Sequence, residues 1–208
     1  MAAADPIPAQ ASLPTKFGEL RIGVFRSENT EVVSLMRGDL AGDEPVLVRL
    51  HSECLTGDAL GSLRCDCGEQ LQRSLETIAK SDRGVVLYLR HEGRGIGLLN
   101  KLRAYELQEN GMDTVEANLE LGFQPDMRDY GIGNQILAEL GLTTIRILTN
   151  NPKKITGIEG FGLDVVEQVP IETAPTPQNA RYLATKRDKL GHKLHHQDLK
   201  YEPLEGSE

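Results

Sequence analysis

The three cysteines of this 208-residue chain lie within fourteen residues, at Cys54, Cys65 and Cys67. An odd number of thiols cannot all be paired in disulfide bonds within one chain. Thiolates are good zinc ligands, and catalytic zinc sites use three protein ligands and leave one position open. The cluster therefore predicts a metal site, and it constrains the surrounding chain to a loop that brings three sulfur atoms together.

Two kinds of zinc site are compatible with this spacing. In a catalytic site the three cysteines hold the ion, and a water molecule in the fourth position has a lowered pKa and becomes a nucleophile at neutral pH. In a structural site, Asp66 or His51 supplies the fourth ligand. Three glycines, Gly57, Gly61 and Gly68, allow the loop to turn around an ion in either case.

Composition narrows the class of protein. Hydrophobic residues make up 39% of the chain, which is enough for a packed core, but no apolar run approaches the roughly 18 residues that a membrane helix needs. The N-terminus lacks the features of a secretory signal, and reduced, clustered cysteines indicate the cytoplasm. The net charge of −8 argues against a broad surface for nucleic acid. We therefore expect a cytoplasmic protein without nucleic-acid or membrane partners.

The hydrophobic pattern changes along the chain. The first half contains short segments rich in valine and leucine that predict strands at 17–25, 31–36 and 45–51. From residue 68 onward, helical periodicity alternates with buried strands. Helices are predicted near 71–79, 98–110, 132–140, 152–160 and 182–190, and strands at 85–89, 143–148 and 163–169. This order predicts an α/β fold, a three-layer domain with a mixed β-sheet whose antiparallel strands come from the N-terminal half.

Two strand-to-helix loops carry groups suited to an anionic ligand. In the loop at 90–97, glycines allow close approach, Arg94 offers a planar fork to phosphate or a base edge, and Glu92 can accept hydrogen bonds from amino groups. In the loop at 149–154, a proline suits the first turn of a helix and Lys154 adds positive charge. Ordinary turns with solvated ion pairs also have such compositions, so the residues alone leave the role of each loop open.

A third segment places Asp126 and Arg128 two residues apart. In an extended backbone, residues two apart project to the same side and can act on one ligand. The neighbouring Asp129 precedes a predicted helix, and a capping role explains it without any function.

Together these segments closely resemble GTP cyclohydrolase II, a family of zinc enzymes that open the guanine ring to begin riboflavin synthesis. The resemblance extends over about residues 12–192, with His91 standing where the family commonly has glutamine. The segments that carry it are Arg-Leu-His-Ser-Glu-Cys-Leu-Thr-Gly-Asp at 49–58, Gly-Ser-Leu-Arg-Cys-Asp-Cys-Gly at 61–68, Glu-Gly-Arg-Gly-Ile-Gly-Leu at 92–98, Asn-Lys-Leu-Arg-Ala-Tyr at 100–105, Asp-Thr-Val-Glu-Ala-Asn at 113–118, Arg-Asp-Tyr-Gly-Ile-Gly at 128–133 and Leu-Thr-Asn-Asn-Pro-Lys-Lys at 148–154.

The resemblance implies an α/β fold, a homodimer, one Zn²⁺ per subunit and Mg²⁺ with the GTP phosphates. The implied reaction converts GTP and water to formate, pyrophosphate and a diaminopyrimidine ribosyl phosphate. We expect a disordered tail over 1–11, a GTP cyclohydrolase II-like catalytic domain over 12–192 and a polar tail over 193–208. We expect no fused dihydroxybutanone phosphate synthase domain, because too few residues precede residue 12.

The resemblance also implies a role for individual residues. Cys54, Cys65 and Cys67 would bind zinc. Asp126 would be a proton acceptor, Arg128 a nucleophile, and Tyr105 would position the reacting base or water. A guanidinium has a pKa above about 12, so charge stabilisation by Arg128 is an alternative to covalent attack. The residues implied to bind GTP are Arg49, His51, Ser52, Glu53, Gln70, Glu92, Gly93, Arg94, Thr114, Thr149 and Lys154.

Overall fold

The computed structural model describes residues 9–27 and 30–195. The chain divides into two compact units. The sheet unit comprises Met1–Ser52, Leu71–Arg90 and Asp129–Ile171, and the cysteine unit comprises Glu53–Gln70, His91–Arg128 and Glu172–Glu208. Residues 1–8 and 196–208, which include most of the two predicted tails, lie outside the described residues. The boundaries predicted for a single catalytic domain over 12–192 stay a prediction.

The described part of the sheet unit forms one seven-stranded sheet. Its strands are β1 (Ala9–Thr15), β2 (Gly18–Ser27), β3 (Thr30–Arg37), β4 (Val46–Ser52), β5 (Gly84–Leu89), β6 (Thr144–Leu148) and β7 (Asp164–Val169). They lie in the order β1-β2-β3-β5-β4-β6-β7. Pairing is antiparallel from β1 through β2 and β3 to β5, and parallel from β5 through β4 and β6 to β7. This confirms the predicted mixed sheet with antiparallel strands from the N-terminal half.

The side chains of the central strands pack in two cores, because successive side chains of a strand point to opposite faces of the sheet. Val48 and Leu87 pack in the core that contains Ile136 of helix α5 (Gly131–Glu139). Leu47 packs in the core that contains Ile78 of helix α2 (Cys67–Lys80). The sheet therefore has a helix on each face, which confirms the three-layer α/β architecture.

Two elements of the sheet unit differ from the sequence prediction. Strand β1 was not predicted, because its residues are mostly exposed and lack an apolar alternation, and it includes the last three residues of the segment 1–11. The helix predicted at 152–160 is wrong: two short 3-10 helices, Pro152–Lys154 and Ile158–Phe161, stand in its place. Gly157 and Gly162 flank the second with φ angles of 74° and 75°, a left-handed backbone that an α-helix cannot contain.

The cysteine unit is built from short helices. They are α1 (Leu55–Asp58), the start of α2, a 3-10 helix (Glu92–Gly95), α3 (Gly97–Glu109), α4 (Thr114–Glu120) and α6 (Ala180–Asp188). Helix α4 was not predicted, although Asp113 and Glu116 form a capping box at its start. Within the described residues, no helix is both long enough and apolar enough to cross a membrane.

Candidate active site and metal centre

The three cysteine sulfurs converge in the cysteine unit. The Sγ atoms of Cys54 and Cys65 are 3.7 Å apart, and the sulfurs of all three cysteines lie within 4.8 Å of one another. Two thiolates on one tetrahedral zinc ion are about 3.8 Å apart, because each Zn–S bond is about 2.3 Å long. The arrangement of Cys54, Cys65 and Cys67 therefore fits a zinc ion bound by three thiolates.

Glycines make the close approach of the sulfurs possible. A Cβ atom on Gly57 would lie 2.9 Å from the Cys65 sulfur and 3.2 Å from the Cys54 sulfur, and one on Gly68 would overlap the carbonyl oxygen of Gly57. Gly61 has a φ of 68°, which side chains rarely allow. These three positions thus require glycine, two for space and one for backbone conformation.

The three thiols influence one another's ionisation. Hydrogen bonds from Cys65 and Cys67 lower the pKa of Cys54, and the charge of Lys101 acts in the same direction. The contact with Cys54 raises the pKa of Cys65 to about 11 and raises that of Cys67 as well. One negative charge is thus concentrated on Cys54, and a divalent cation shared by the sulfurs would allow all three to ionise.

Asp66, the alternative fourth ligand, has other partners. Its two carboxylate oxygens accept hydrogen bonds from the Lys186 ammonium at 2.6 and 2.8 Å, and one of them also accepts from the Gln70 amide at 2.7 Å. Among the described residues, the group of potential metal ligands consists of the three cysteines. The geometry of the cysteine unit therefore favours a site with an open position over one closed by Asp66.

A buried lysine borders the sulfurs and was missed in the sequence. The Lys101 ammonium lies 3.1 Å from the Cys54 sulfur and 2.7 Å from a carboxylate oxygen of Glu92. The other Glu92 oxygen accepts a hydrogen bond from the Leu55 amide at 2.6 Å. The signal that could have revealed Lys101 is its position four residues before Tyr105, which places both on one face of α3.

Tyr105 also borders the metal loop, which is the segment of residues 54–67 that carries the three cysteines. Its hydroxyl lies 3.4 Å from the Thr56 hydroxyl, which in turn lies 3.6 Å from the Cys54 sulfur. Burial raises the pKa of Tyr105, so that the phenol keeps its proton at neutral pH. The structure thus places a protonated hydroxyl beside the cysteines, and the positioning role that the resemblance implies for Tyr105 stays a prediction.

Asp126 and Arg128 form a forked ion pair. The Nε and Nη2 atoms of Arg128 donate to the two carboxylate oxygens of Asp126 at 2.8 and 2.7 Å. Burial acts to raise the pKa of Asp126, but the hydrogen bonds and charge of Arg128, assisted by Arg94, outweigh it and lower the pKa to about 2. The two side chains therefore project to the same side, as predicted, and bind each other.

Arg94 has a strained backbone. Its φ of 61° makes it the non-glycine residue with a left-handed conformation among residues 9–27 and 30–195. Its carbonyl accepts a hydrogen bond from the Met127 amide at 3.1 Å, and its guanidinium lies 5.8 Å from the centre of the Tyr182 ring. The Nη1 atom of Arg94 is buried without a hydrogen-bond partner in the described structure. Such strain and an unsatisfied donor are typical of ligand sites.

The other predicted GTP contacts of the cysteine unit occupy varied positions. Gly93 has a φ of 61° in the same 3-10 helix as Glu92. Thr114 is the first residue of α4 and half-buried, Gln70 is buried, and Glu53 is half-buried. Glu53 precedes Cys54, Gln70 lies in the helix that begins at Cys67, Gly93 precedes Arg94, and Thr114 lies in α4, which carries neither a cysteine nor Arg94.

In the sheet unit, the predicted GTP contacts cluster at the carboxyl ends of two parallel strands. Arg49 on β4 donates to the Leu148 carbonyl of β6 at 2.9 Å, and Lys154 donates to the Leu50 carbonyl at 2.6 Å. The Thr149 hydroxyl accepts from the Asn151 amide at 3.0 Å. The residues brought to this edge are Arg49, His51, Ser52, Thr149 and Lys154, and the ring of His51 stacks on Tyr88 with centroids 5.5 Å apart.

Comparison with known proteins assigns the chain to a family. A family model described as GTP cyclohydrolase II matches residues 7–170. The chain belongs to the GTP cyclohydrolase II family. The match confirms the family that the cysteine motif and the loops predicted, and it includes every residue that the sequence assigned to metal, substrate or catalysis.

Curated relatives carry the name riboflavin biosynthesis protein RibBA. The chain is 55% identical over 187 residues to the protein of Chlorobium phaeovibrioides, covering 89% of this chain and 46% of that one. It is 58% identical to the proteins of Salinispora tropica over 189 residues and Aquifex aeolicus over 187 residues, covering 47% and 46% of their lengths and 89% and 88% of this chain. The chain therefore spans about half the length of the curated relatives it matches.

A solved structure, the two-domain 3,4-dihydroxy-2-butanone 4-phosphate synthase RibBX from A. baumannii, aligns with a TM-score of 0.48 and 17% identity. The alignment covers 84% of this chain and 41% of that one. This likeness is too weak to assign a fold or a function.

Proposed function

We propose that this chain is a zinc-dependent GTP cyclohydrolase II. It opens the imidazole ring of GTP at C8, releases formate and pyrophosphate, and yields a diaminopyrimidine ribosyl phosphate as the first step of riboflavin biosynthesis. The observation that carries the proposal is the spacing of Cys54, Cys65 and Cys67, which suits one zinc ion with an open position. Family membership and relatives named for riboflavin biosynthesis support it.

Cys54, Cys65 and Cys67 would hold the zinc ion, which would supply an activated water at neutral pH and offset negative charge on oxygen. The residues of the chain orient the reactants around it. Tyr105 keeps its proton, and through Thr56 its hydroxyl is fixed beside Cys54. It can therefore donate a hydrogen bond to the reacting water or to the guanine base, which is the positioning role that we propose for it.

The loop after β5 supplies groups for the guanine and the phosphates. Arg94 has a buried, unsatisfied Nη1 donor, and hydrogen bonding to a substrate oxygen or base edge would satisfy it. Glu92 accepts hydrogen bonds from the Leu55 and Gly93 amides, which hold its carboxylate in place. The remaining proposed GTP contacts are Arg49, His51, Ser52, Glu53, Gln70, Gly93, Thr114, Thr149 and Lys154.

For pyrophosphate release we propose that Arg128 stabilises charge at the α-phosphate, while Mg²⁺ binds the phosphate oxygens. Covalent attack by Arg128 would require Asp126 to take its proton. Asp126 has a pKa of about 2, and a guanidinium has one above about 12. The Asp126 carboxylate is therefore a far weaker base than a neutral guanidine, and proton transfer to it from Arg128 is strongly unfavourable. Asp126 can act as a proton acceptor for another group only when the ion pair opens.

We also propose that the chain forms a homodimer in the cytoplasm. Three leucines of α3 are exposed, Leu98 at 36%, Leu99 at 65% and Leu102 at 45%. Apolar side chains grouped on one helix support an interface with a second copy, because burying them is favourable. Analytical ultracentrifugation of wild type and Leu99→Glu tests this: the wild type should sediment as a dimer and the variant should shift toward monomer.

The decisive experiment is product analysis with zinc-loaded protein, GTP and Mg²⁺. We expect equal amounts of formate and pyrophosphate from the wild type. Cys54→Ser should lose zinc and activity, whereas wild type stripped by a chelator and reloaded with zinc should recover both. Tight GTP binding without turnover would make the chain a nucleotide-binding zinc protein, and formate without pyrophosphate would make it a different purine-nucleotide hydrolase.

A further inference from the structure

Helix α6 contributes a buried lysine to the turn between two of the cysteines. The Lys186 ammonium binds both carboxylate oxygens of Asp66, and the two side chains are only 8% and 1% exposed. Removing one partner of a buried pair is strongly destabilising, because it leaves the other charge without compensation. Lys186 therefore determines where the Asp66 carboxylate lies.

Asp66 in turn connects the metal loop with a proposed substrate contact. It stands between Cys65 and Cys67, so its backbone is part of the turn that sets the separation of their sulfurs. Its carboxylate accepts a hydrogen bond from the Gln70 side-chain amide at 2.7 Å, and its carbonyl accepts from the Gln70 backbone amide at 3.0 Å. A shift of Asp66 would move both the cysteine turn and the Gln70 amide.

Helix α6 is held in the cysteine unit independently of Asp66. Lys189 at its carboxyl end forms ion pairs with Asp113 and Glu116 at the start of α4. Arg181 donates to the carbonyl oxygen of Gly111. Because several contacts anchor the helix, Lys186 reaches Asp66 from a fixed support. The helix lies outside the residues 7–170 that match the family model.

We propose that Lys186, acting through Asp66, is a positioning residue for both Gln70 and the cysteine turn, the turn between Cys65 and Cys67. This proposal rests on the function proposed above. With Lys186 in place, Asp66 keeps one orientation, the cysteine turn holds the sulfurs at zinc-binding separation, and the Gln70 amide faces a constant direction. Without it, the carboxylate rotates toward another partner, and zinc affinity and GTP affinity fall together.

The test uses three variants of the full chain. Lys186→Met removes the charge and keeps most of the volume. Lys193→Met makes the same chemical change at an exposed position and serves as the control. Asp66→Asn combined with Lys186→Met removes both charges, so that no charge is left buried and unpaired. The readouts are the zinc dissociation constant by chelator competition, the absorption spectrum of the Co²⁺-substituted protein, and KM and kcat for GTP at saturating zinc.

We expect Lys186→Met to raise the zinc dissociation constant about 10-fold to 100-fold and KM about 10-fold, with a smaller change in kcat, and to alter the Co²⁺ spectrum. The double variant should be as stable as wild type in urea yet keep the raised constants. If Lys186 had a purely structural role, the double variant would regain the wild-type zinc dissociation constant and KM for GTP. Values of both constants within about twofold of wild type in the double variant would therefore overturn the proposal.

Two further outcomes are distinguishable. If Lys186→Met does not fold, the double variant alone decides by the same criteria. If the wild type releases no formate, the proposed function fails, while the zinc dissociation constants and the Co²⁺ spectra of the variants still decide whether Lys186 positions the cysteine turn.

Discussion

The Lys101 ammonium lies 3.1 Å from the Cys54 sulfur and simultaneously 2.7 Å from a Glu92 oxygen. Burial acts to lower the pKa of Lys101, but Glu92 and Cys54 outweigh it and raise the pKa, so the amine stays protonated. One cation therefore links the Cys54 sulfur, a proposed metal ligand, to the loop that carries the proposed guanine contacts. Within the cysteine unit, the charge of Lys101 thus joins the metal loop to the loop at 92–94.

This link predicts energetic coupling between Lys101 and Glu92. Both side chains are nearly buried, 10% and 12% exposed, so Lys101→Met and Glu92→Gln should each lower the free energy of unfolding. In a double-mutant cycle we expect a coupling energy of about 1 to 2 kcal/mol, measured by urea unfolding of the zinc-loaded protein.

The matched control for this cycle is the exposed pair Glu76–Lys80, whose side chains are 52% and 70% exposed. Its coupling should stay below about 0.5 kcal/mol, because water screens exposed ion pairs. Additive effects of Lys101→Met and Glu92→Gln would show that the pair does not connect the two loops.

Gly57→Ala should impair zinc binding. The added methyl group would lie 2.9 Å from the Cys65 sulfur, so the sulfurs must move apart to accommodate it. We expect the zinc content per chain, measured by atomic emission after dialysis, to fall to less than about half, since metal sites tolerate only small changes in ligand distance.

Gly160→Ala provides the comparison for Gly57→Ala, because a Cβ atom there meets no atom within 4 Å and the backbone is not left-handed. This variant should retain a full complement of zinc. A normal zinc content in Gly57→Ala would mean that the sulfurs do not need the observed spacing.

Arg128→Lys should reduce turnover through loss of the fork. A lysine keeps the positive charge but cannot donate two parallel hydrogen bonds to a carboxylate or phosphate. We expect kcat to fall about 100-fold or more with a smaller change in KM, as when a charge-stabilising donor is removed. The measurement is steady-state kinetics of pyrophosphate release, followed by a search for phosphate-labelled protein.

Arg146→Lys is the control for Arg128→Lys, since Arg146 is 44% exposed and pairs with Glu167 in the sheet unit. It should leave kcat unchanged. Residual pyrophosphate release by Arg128→Lys with no covalent label would support charge stabilisation, whereas an arginine that carries the α-phosphate together with its nucleoside in the wild type would establish covalent attack.

Asp126 should contribute stability that depends on pH. Its folded-state pKa of about 2 lies below the ordinary value of 3.8, so the contribution is present above pH 3.8 and is lost as the pH falls through about 2. The shift corresponds to about 1 to 2 kcal/mol, allowing for solvent screening.

The corresponding measurement compares the unfolding free energy of wild type and Asp126→Asn from about pH 5 to about pH 2. The difference between the two proteins should shrink as the pH falls. Asp164→Asn, at the exposed first residue of β7, should show little such dependence. A difference between wild type and Asp126→Asn that is constant with pH would contradict the ion pair.

Local features of the sequence predicted much of the fold and the convergence of the three cysteines. The strands are rich in valine and leucine, and the apolar residues of α2 recur with helical spacing. Both patterns arise because each element buries one face, so they can be recognised within the segment itself. The helix predicted at 152–160 is wrong because the left-handed Gly157 interrupts that segment. Strand β1 and helix α4 were missed because β1 is mostly exposed and α4 is only seven residues long.

By itself, the sequence determined the cysteines proposed as metal ligands, the glycines that let them converge, the mixed α/β sheet and the family. These depend on residue type and short-range spacing. Only the tertiary structure revealed that Lys101 contacts Cys54 across 47 positions of the chain and that Lys186 pairs with Asp66 across 120. A buried charge is costly unless an opposite charge lies beside it. The packing of the helices decides which residue supplies that opposite charge, and no local sequence pattern predicts it.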